Sequence, residues 1–594
     1  MCSSDLGEVR TITAGSIELT SEGIMNLDAR VESTMGDVTL TGAGEIFLND
    51  AVVATGGSVI ASADDLDINS GGSITATSNA GMGGEVIIGR SNSGIIDVGE
   101  DSGATDPMGI TVMDITNADL ARITADTLTI GDAVNTQQVR VRNVENPMMT
   151  SDPHANIDLV RLRAAAGTGT ITFSGARASK FNALDAVADA GIKLGAGITT
   201  FAGGLSLDAD GDGMAAPTQD PMMRTVIGVD IDKLDQLHVD GNQTLTSQAG
   251  AGDRDVVLRG RRSGMTVTPG ILASNNLTIN SGRDIRIVDN IDAGGDVVLD
   301  ADRSVEVAGG GDVRLLNISA DENVTLRGDL TLGAGGMSVL ADADGMGGGA
   351  FSLLEDGMGR GTLTLSDSAA RIRIVARDFT IDGANARIMA GGGTVRIGRS
   401  TSGDVQVGDF TDSDTGDDLL TVSNGELEKI VAANLVIGNF ADTVAPTATN
   451  TNTRDILVRG VTEAASNGIT DQVTLEAGRS IDFGGAASVF NGLTARAVQN
   501  ITVASALTTQ TGDLSLLADQ SPVGSTDVPD NSGTLTINAA VRTSGQDFIG
   551  SGADLVLGGT INTTSSMMGV VPGDVSITRS GGGTISVGNF ADAA

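Results

Sequence analysis

The residues best suited to chemistry in this chain are Asp208, Asp210 and Asp212, in the run Asp208-Ala209-Asp210-Gly211-Asp212-Gly213 that follows Leu205-Ser206-Leu207. Carboxylates at alternate positions, with glycine sixth, can wrap a hard cation in oxygen ligands as the opening of a calcium loop does. Calcium is therefore the one metal the sequence offers, and no cofactor is required. The twelfth position, where a bidentate Glu would close such a loop, holds Gln219, with Asp220 one place later. A solvated acidic corner is the competing reading. Asp342-Ala343-Asp344-Gly345 and Asp412-Ser413-Asp414-Thr415-Gly416-Asp417 are weaker versions of the pattern. Arg327-Gly328-Asp329 could present an integrin-type tripeptide between Val324-Thr325-Leu326 and Leu330-Thr331-Leu332. With Gly and Asp so abundant here, chance is the simpler explanation.

Catalysis finds little support. The two histidines, His154 and His238, neighbour no nucleophile phrase, and the single cysteine is Cys2. Gly345-Met346-Gly347-Gly348-Gly349 is not a phosphate loop, because no Gly-Lys-Ser/Thr follows a strand. With no Trp, no Tyr and 2% aromatic residues, the chain lacks the stacking platforms that glycan clefts and base-binding surfaces use. We therefore expect no enzyme.

Positioning any of these residues falls to elements that recur with a period of about 21 residues, in the range of solenoid repeats. Gly15-Ser16-Ile17-Glu18-Leu19 returns as Gly36-Asp37-Val38-Thr39-Leu40 and as Gly57-Ser58-Val59-Ile60-Ala61. A second register runs through Ile24 and Leu27, Ile46 and Leu48, then Leu66 and Ile68; a third runs through Val31, Val52 and Val53, then Ile74. In a strand, alternate side chains face opposite ways, so each tooth puts its aliphatic residues inward and its polar ones outward. Three teeth per period predict an all-β fold, a parallel β-solenoid with about three short strands per rung of about 21 residues. The period reappears at Leu277, Val297, Leu316 and Met337, and at Leu514, Leu535, Leu555 and Val575. Gly, Asn, Asp and Ser between the teeth supply the corners.

Composition limits the partners. A formal charge of -40 and a pI near 4.1 repel nucleic acid and anionic membranes, so no nucleic-acid partner is expected. No run of about 20 apolar residues exists, so no helical membrane insertion is expected either. The start, Met1-Cys2-Ser3-Ser4-Asp5-Leu6-Gly7, lacks a basic segment and an apolar core of signal-peptide type, and reads as a non-repeat opening over 1–8.

A longer repeat encloses the short one. Gly84-Glu85-Val86-Ile87-Ile88-Gly89-Arg90-Ser91-Asn92-Ser93-Gly94 matches Gly393-Thr394-Val395-Arg396-Ile397-Gly398-Arg399-Ser400-Thr401-Ser402-Gly403. The block from Asn117 to Gly131 matches that from Asn424 to Gly438, and Gly583-Thr584-Ile585-Ser586-Val587-Gly588 repeats the opening phrase. The two offsets are nearly equal, so a large part of the chain is duplicated as a unit. We divide the chain into a first long unit over 9–143, a less regular stretch with loops over 144–260, a second unit over 261–460, and the start of a further one over 461–594. The least periodic residues, from Asn146 to Arg224, and the loop from Ala441 to Thr453 are where an interaction surface is expected.

The Gly-x-Val-x-Ile-Gly phrases, the Leu-x-x-Ile-x-Ala-x-x-Leu-x-Ile-Gly blocks and the Gly-Asp-Val-x-Leu teeth together resemble the filamentous-haemagglutinin-like exoproteins of bacteria, exported by two-partner secretion or as autotransporter passengers. The resemblance implies a right-handed parallel β-helix and an extracellular, cell-surface or outer-membrane location. It also implies an outer-membrane secretion partner and a role in adhesion or biofilm. A rod-like internal fragment presenting loops to a host-cell, glycan or neighbouring-cell surface is the expected function. The alternative is a self-associating matrix or surface-layer component, with calcium a candidate cross-linker; a polysaccharide-acting β-helix enzyme is the third reading.

Overall fold

The computed structural model describes residues 9–11, 15–77, 84–100, 112–132, 134–145, 156–164, 169–200, 205–209, 237–239, 243–247, 256–259, 271–273, 276–281, 284–288, 290–346, 348–410, 419–440, 453–521, 532–564, 572–580 and 583–587. Strand dominates them, and the helices among them are single turns at Asn117–Leu120, Asn424–Leu427 and Glu463–Ser466. None is long and apolar enough to cross a membrane. The fold is thus nearly all-β, and its strands pair in parallel. The chain forms two compact units, residues 1–298 and 299–594.

In the first unit the three expected registers become three parallel ladders. Ile17 pairs with Val38 and Val38 with Val59, each partner one sequence period further along. Met25 pairs with Ile46 and Ile46 with Leu66 in the second ladder. Val31, Val52 and Ile74 stack in the third. Two residues of the expected teeth fall outside the core. Ile24 is 58% exposed, because Met25 and Leu27, two apart on one face, take the inward positions. Val53 alternates outward between buried Val52 and Ala54. Polar residues also stack at the corners: Asn69 donates to Asn49 Oδ1 at 2.7 Å, and Asn49 donates to Asp28 Oδ1 at 2.6 Å. Such ladders favour one register over its slipped neighbours, since a one-residue slip would turn every aliphatic side chain to solvent.

Where the chain inserts residues, the ladder continues and only the step changes. From Val59 the column runs to Val86, Leu128, Val160, Leu184 and Leu205, all at most 2% exposed. The strands Ile157–Ala164, Thr170–Ser174, Ser179–Phe181, Leu184–Ala188, Ile192–Leu194, Ile198–Thr200 and Leu205–Asp208 lie within the stretch that reads as least periodic. Their inward positions include Ala164, Ala186, Ala188 and Ser179, small residues that bury fully while leaving little hydropathy signal.

The second unit repeats the arrangement. Leu316, Met337, Ile372, Val395, Leu435, Val473, Leu493, Leu514, Phe548 and Val575 form one column of register partners. Ile481, Ile501, Leu535, Leu555 and Ile585 form another. Leu514, Leu535, Leu555 and Val575, which read as one periodic series, therefore divide between two ladders. The additional residues after Ala518 shift the phase by one strand, so equal spacing no longer means the same ladder. Each fully buried Val, Leu or Ile in these columns contributes roughly 1.5–3 kcal/mol relative to exposure.

Candidate functional site

Asp208 ends the strand Leu205–Asp208, half-buried, in register with Val187 and Arg259. Asp210 and Asp212 lie outside the described residues, as do His154 and the Asp412 to Asp417 cluster. Among the described residues no three His, Cys, Asp or Glu side chains converge to hold a metal. His238 lies on the strand Leu237–Val239, in register with Lys193 and Leu272.

Asp342 and Asp344 act as corner staples. Asp342, 2% exposed with φ +67°, accepts from Ser400 Oγ at 2.8 Å, and Asp344 Oδ1 accepts from Met346 N at 2.9 Å. Around them gather Asp300, Asp302 and Asp321. Burial first, and the charges of Asp344, Asp302, Asp300 and Asp342 next, push the Asp321 carboxyl above its usual range. In the Arg-Gly-Asp tripeptide, Asp329 Oδ1 accepts from Gly361 N at 3.2 Å and Thr362 N at 2.9 Å, while Arg327 pairs with Glu306 at 3.4 Å. Both charged ends of the tripeptide are thus engaged within the fold.

The first repeated phrase carries an arginine that hydropathy does not single out. Arg90 and Arg399 are 0% exposed, the bulkiest fully buried side chains among the described residues. Arg90 Nε donates to Asn92 O at 3.0 Å, and its Nη1 donates to Asp64 O at 3.0 Å and Ile95 O at 3.2 Å. Arg399 repeats the clip on Thr401 O at 3.0 Å and Asp404 O at 3.2 Å. Burial draws the Arg90 guanidinium below its usual range, against the opposing charges of Asp64, Asp65 and Asp132. The next residue completes the device: Ser91 Oγ donates to Asp64 at 2.9 Å, Ser400 to Asp342 at 2.8 Å and Ser580 to Asp519 at 2.6 Å. Glycine is required opposite, since a Cβ on Gly94 or Gly403 would lie 2.5 to 2.9 Å from the guanidinium. Recurrence of Arg-Ser-x-Ser-Gly at matching places in the two units was the available signal, and its content is structural.

The second repeated block is a capped turn that closes over the ladder. Thr116 and Ser423 each cap a one-turn helix in a capping box with Asp119 and Glu426. Asn117 and Asn424 donate to Asn143 O at 3.1 Å and Gly460 O at 2.9 Å, and Arg122 and Lys429 to Ile68 O at 3.1 Å and Ile381 O at 2.6 Å. These matched bonds place the duplication at the level of side-chain roles.

One surface departs from this regularity, in the second unit. The strand Leu330–Ala341 bulges at Gly333-Ala334-Gly335, where pairing with Gly311–Ala320 shifts register between Val313 and Leu315. Beside the bulge lies a cleft of about 320 Å³ with Asn317, Arg371 and Arg373 on its walls. Asn317, Ser338, Arg373 and Arg396 are successive register partners, so one outward column carries two adjacent guanidiniums. Both lie over the Phe440 ring, at 5.5 and 5.8 Å from its centre. Arg373 is 3% exposed and donates to Ser338 Oγ at 3.2 Å. Phe440 directly precedes the Ala441 to Thr453 loop singled out above, most of which lies outside the described residues.

Compared with known proteins, the chain matches no family model, no curated protein and no solved structure.

Proposed function

We propose that this chain is the repeat region of a large bacterial cell-surface exoprotein of the filamentous-haemagglutinin-like kind. In this reading each unit is a right-handed parallel β-helix of about three strands per rung, displaying its inserted loops for adhesion or biofilm formation. The observation that carries the reading is the set of parallel ladders stepping once per sequence period, with aliphatic columns inside and polar residues outside. Such ladders make a surface whose identity lies in its insertions, because the repeating part is committed to its own neighbours. Export through an outer-membrane partner belongs to the same proposal.

The test is to incubate the purified chain with host cells, bacterial cells and immobilised glycans, with and without calcium. Saturable binding supports adhesion. The alternative is a self-associating matrix or surface-layer component. Calcium-dependent self-association without cell or glycan binding would select it. Turnover of an acidic polysaccharide, abolished by an Asp substitution, would overturn both readings.

A further inference from the structure

We propose that the face formed by the strands Val575–Arg579 and Ile585–Val587 binds a partner chain built of the same repeat, which adds two parallel strands to it. A third copy of the arginine clip marks the place. Arg579 Nη1 donates to Gly583 O, and Ser580 Oγ donates to Asp519 at 2.6 Å, as Ser91 does to Asp64 and Ser400 to Asp342. The two strands beside this clip therefore correspond to Glu85–Arg90 and Gly94–Gly99 in the first unit, and to Thr394–Arg399 and Gly403–Gly408 in the second. In those two copies the inward residues are shut off: Val86, Val98, Val395 and Val407 are at most 1% exposed. In the third, Val575, Ile585 and Val587 are 50%, 53% and 52% exposed, and Arg579 is exposed where Arg90 and Arg399 are 0%.

The two covered copies show what the cover is. In the first unit the strands Ile123–Ile130 and Thr136–Arg142 provide it, with Leu128 in register on Val86 and Val141 on Val98. In the second, Ile430–Gly438 and Thr453–Arg459 set Leu435 on Val395 and Val458 on Val407. Both covers have one chemistry: Leu128-Thr129-Ile130-Gly131 matches Leu435-Val436-Ile437-Gly438, and Val139-Arg140-Val141-Arg142 matches Ile456-Leu457-Val458-Arg459. Both of these segments are committed to their own ladders, so the occupant of the third face comes from another chain. Among the described residues Val575–Arg579 pairs only with Phe548–Gly552, and Ile585–Val587 only with Asp554–Leu557. The backbone is set for a further strand. Leu493 donates its N–H to Asp513 O at 3.0 Å, Leu514 to Asp547 O at 3.0 Å and Phe548 to Asp574 O at 2.8 Å; Val575 continues this column, so its N–H points to the uncovered side. Asp513 Oδ1 accepts from Asp547 N at 3.0 Å and Asp547 Oδ1 from Asp574 N at 2.8 Å, and Asp574 offers the same acceptor onward. An open ladder edge gives such a complex its affinity, and the inward pockets give it specificity.

The experiment titrates the full chain into a fluorescent peptide of residues 123–142 and follows anisotropy. Saturable binding is expected, with a peptide carrying Leu128→Asp and Val141→Asp at least about tenfold weaker, since a carboxylate cannot enter an aliphatic column cheaply. Val575→Asp and Val587→Asp, at exposed positions that the fold tolerates, should each weaken the peptide by about tenfold or more. Met346→Asp, at an 86% exposed position of the same unit, should leave it unchanged. Bound peptide should also slow hydrogen exchange at the Val575 amide. No saturable binding, equal binding of the doubly substituted peptide, or binding unchanged in both valine variants would overturn the proposal. Self-association that Val575→Asp abolishes, without peptide binding, would give the face to a second copy of this chain and overturn it too. Cell binding without peptide binding would remove this site and leave the surface reading standing.

Discussion

Replacing Arg399 by Met removes the guanidinium while keeping most of the stem that fills the same space. Among the hydrogen bonds that go with it are Nε to Thr401 O at 3.0 Å, Nη1 to Asp404 O at 3.2 Å and Nη2 to Thr401 Oγ1 at 3.4 Å. Losing the donor to a buried acceptor costs about 1–3 kcal/mol for each acceptor left bare, and the Thr401 and Asp404 carbonyls are among those affected. Against this, a buried guanidinium carries a desolvation penalty that Met does not, which offsets part of the loss. The expected net destabilisation is about 2–4 kcal/mol, or roughly 30- to 1000-fold in a local opening equilibrium. Global unfolding is a poor readout in a repeat array, where a single free energy is ill-defined. Native-state hydrogen exchange over Gly403–Gly408 is the assay, since this strand begins beneath the clip. Gly403→Ala should produce a similar acceleration by a different route, its Cβ falling 2.6 Å from the Arg399 Cζ. Gly425→Ala, where no atom lies closer than 3.9 Å, should leave exchange there unchanged. Acceleration below threefold in Arg399→Met would refute the reasoning, since the buried cation would then hold nothing that Met cannot.

Other expectations follow from the same geometry. The Asp321 carboxyl titrates above its unfolded value, so the native state binds the extra proton in that window; the corner should gain stability as pH falls from neutral through the folded pKa, read by carboxyl NMR titration and local exchange. Asp356 runs the other way: burial alone would raise it, but hydrogen bonds from Arg360 and Met358 outweigh this and lower its pKa, so its contribution should be lost as pH falls through the folded value. Asp329→Ala should accelerate exchange at Gly361 and Thr362, at a cost of about 1–2 kcal/mol, without changing attachment of integrin-bearing cells. Ser423→Ala should destabilise the Asn424–Leu427 turn by about 1 kcal/mol, measured by exchange at Glu426.

Strand positions were legible because alternation and the short period both arise from burial, which hydropathy reports. Ile17, Val38 and Val59 stack as their spacing implies. Ile24 misled because apolarity alone does not say which of two adjacent residues faces inward; Met25 took that place. The ladder through Ala164 and Ala186 was hard to see because small inward residues carry a weak signal. Phase after Ala518 was lost because an insertion moves every later tooth to another ladder while leaving the spacing almost unchanged. At the level of sites, the duplicated Arg-Ser phrase was visible but its meaning was not. A buried arginine satisfied by carbonyls two and five residues on depends on the path of the backbone between them, which side-chain hydropathy does not report. The cleft was less legible still, for Asn317, Ser338 and Arg373 lie far apart in sequence and meet only through the register.

Both functional readings depend on parallel stacking of successive periods, which spin labels can probe directly. With Cys2 replaced by Ser, labels at Thr39 and Ile60, outward register partners one strand apart, should show strong dipolar broadening from a backbone separation of roughly 5 Å. Labels at Glu18 and Ile60, two strands apart through Thr39, should show a weaker interaction at roughly 10 Å. Unbroadened spectra for the Thr39 and Ile60 pair would contradict the account.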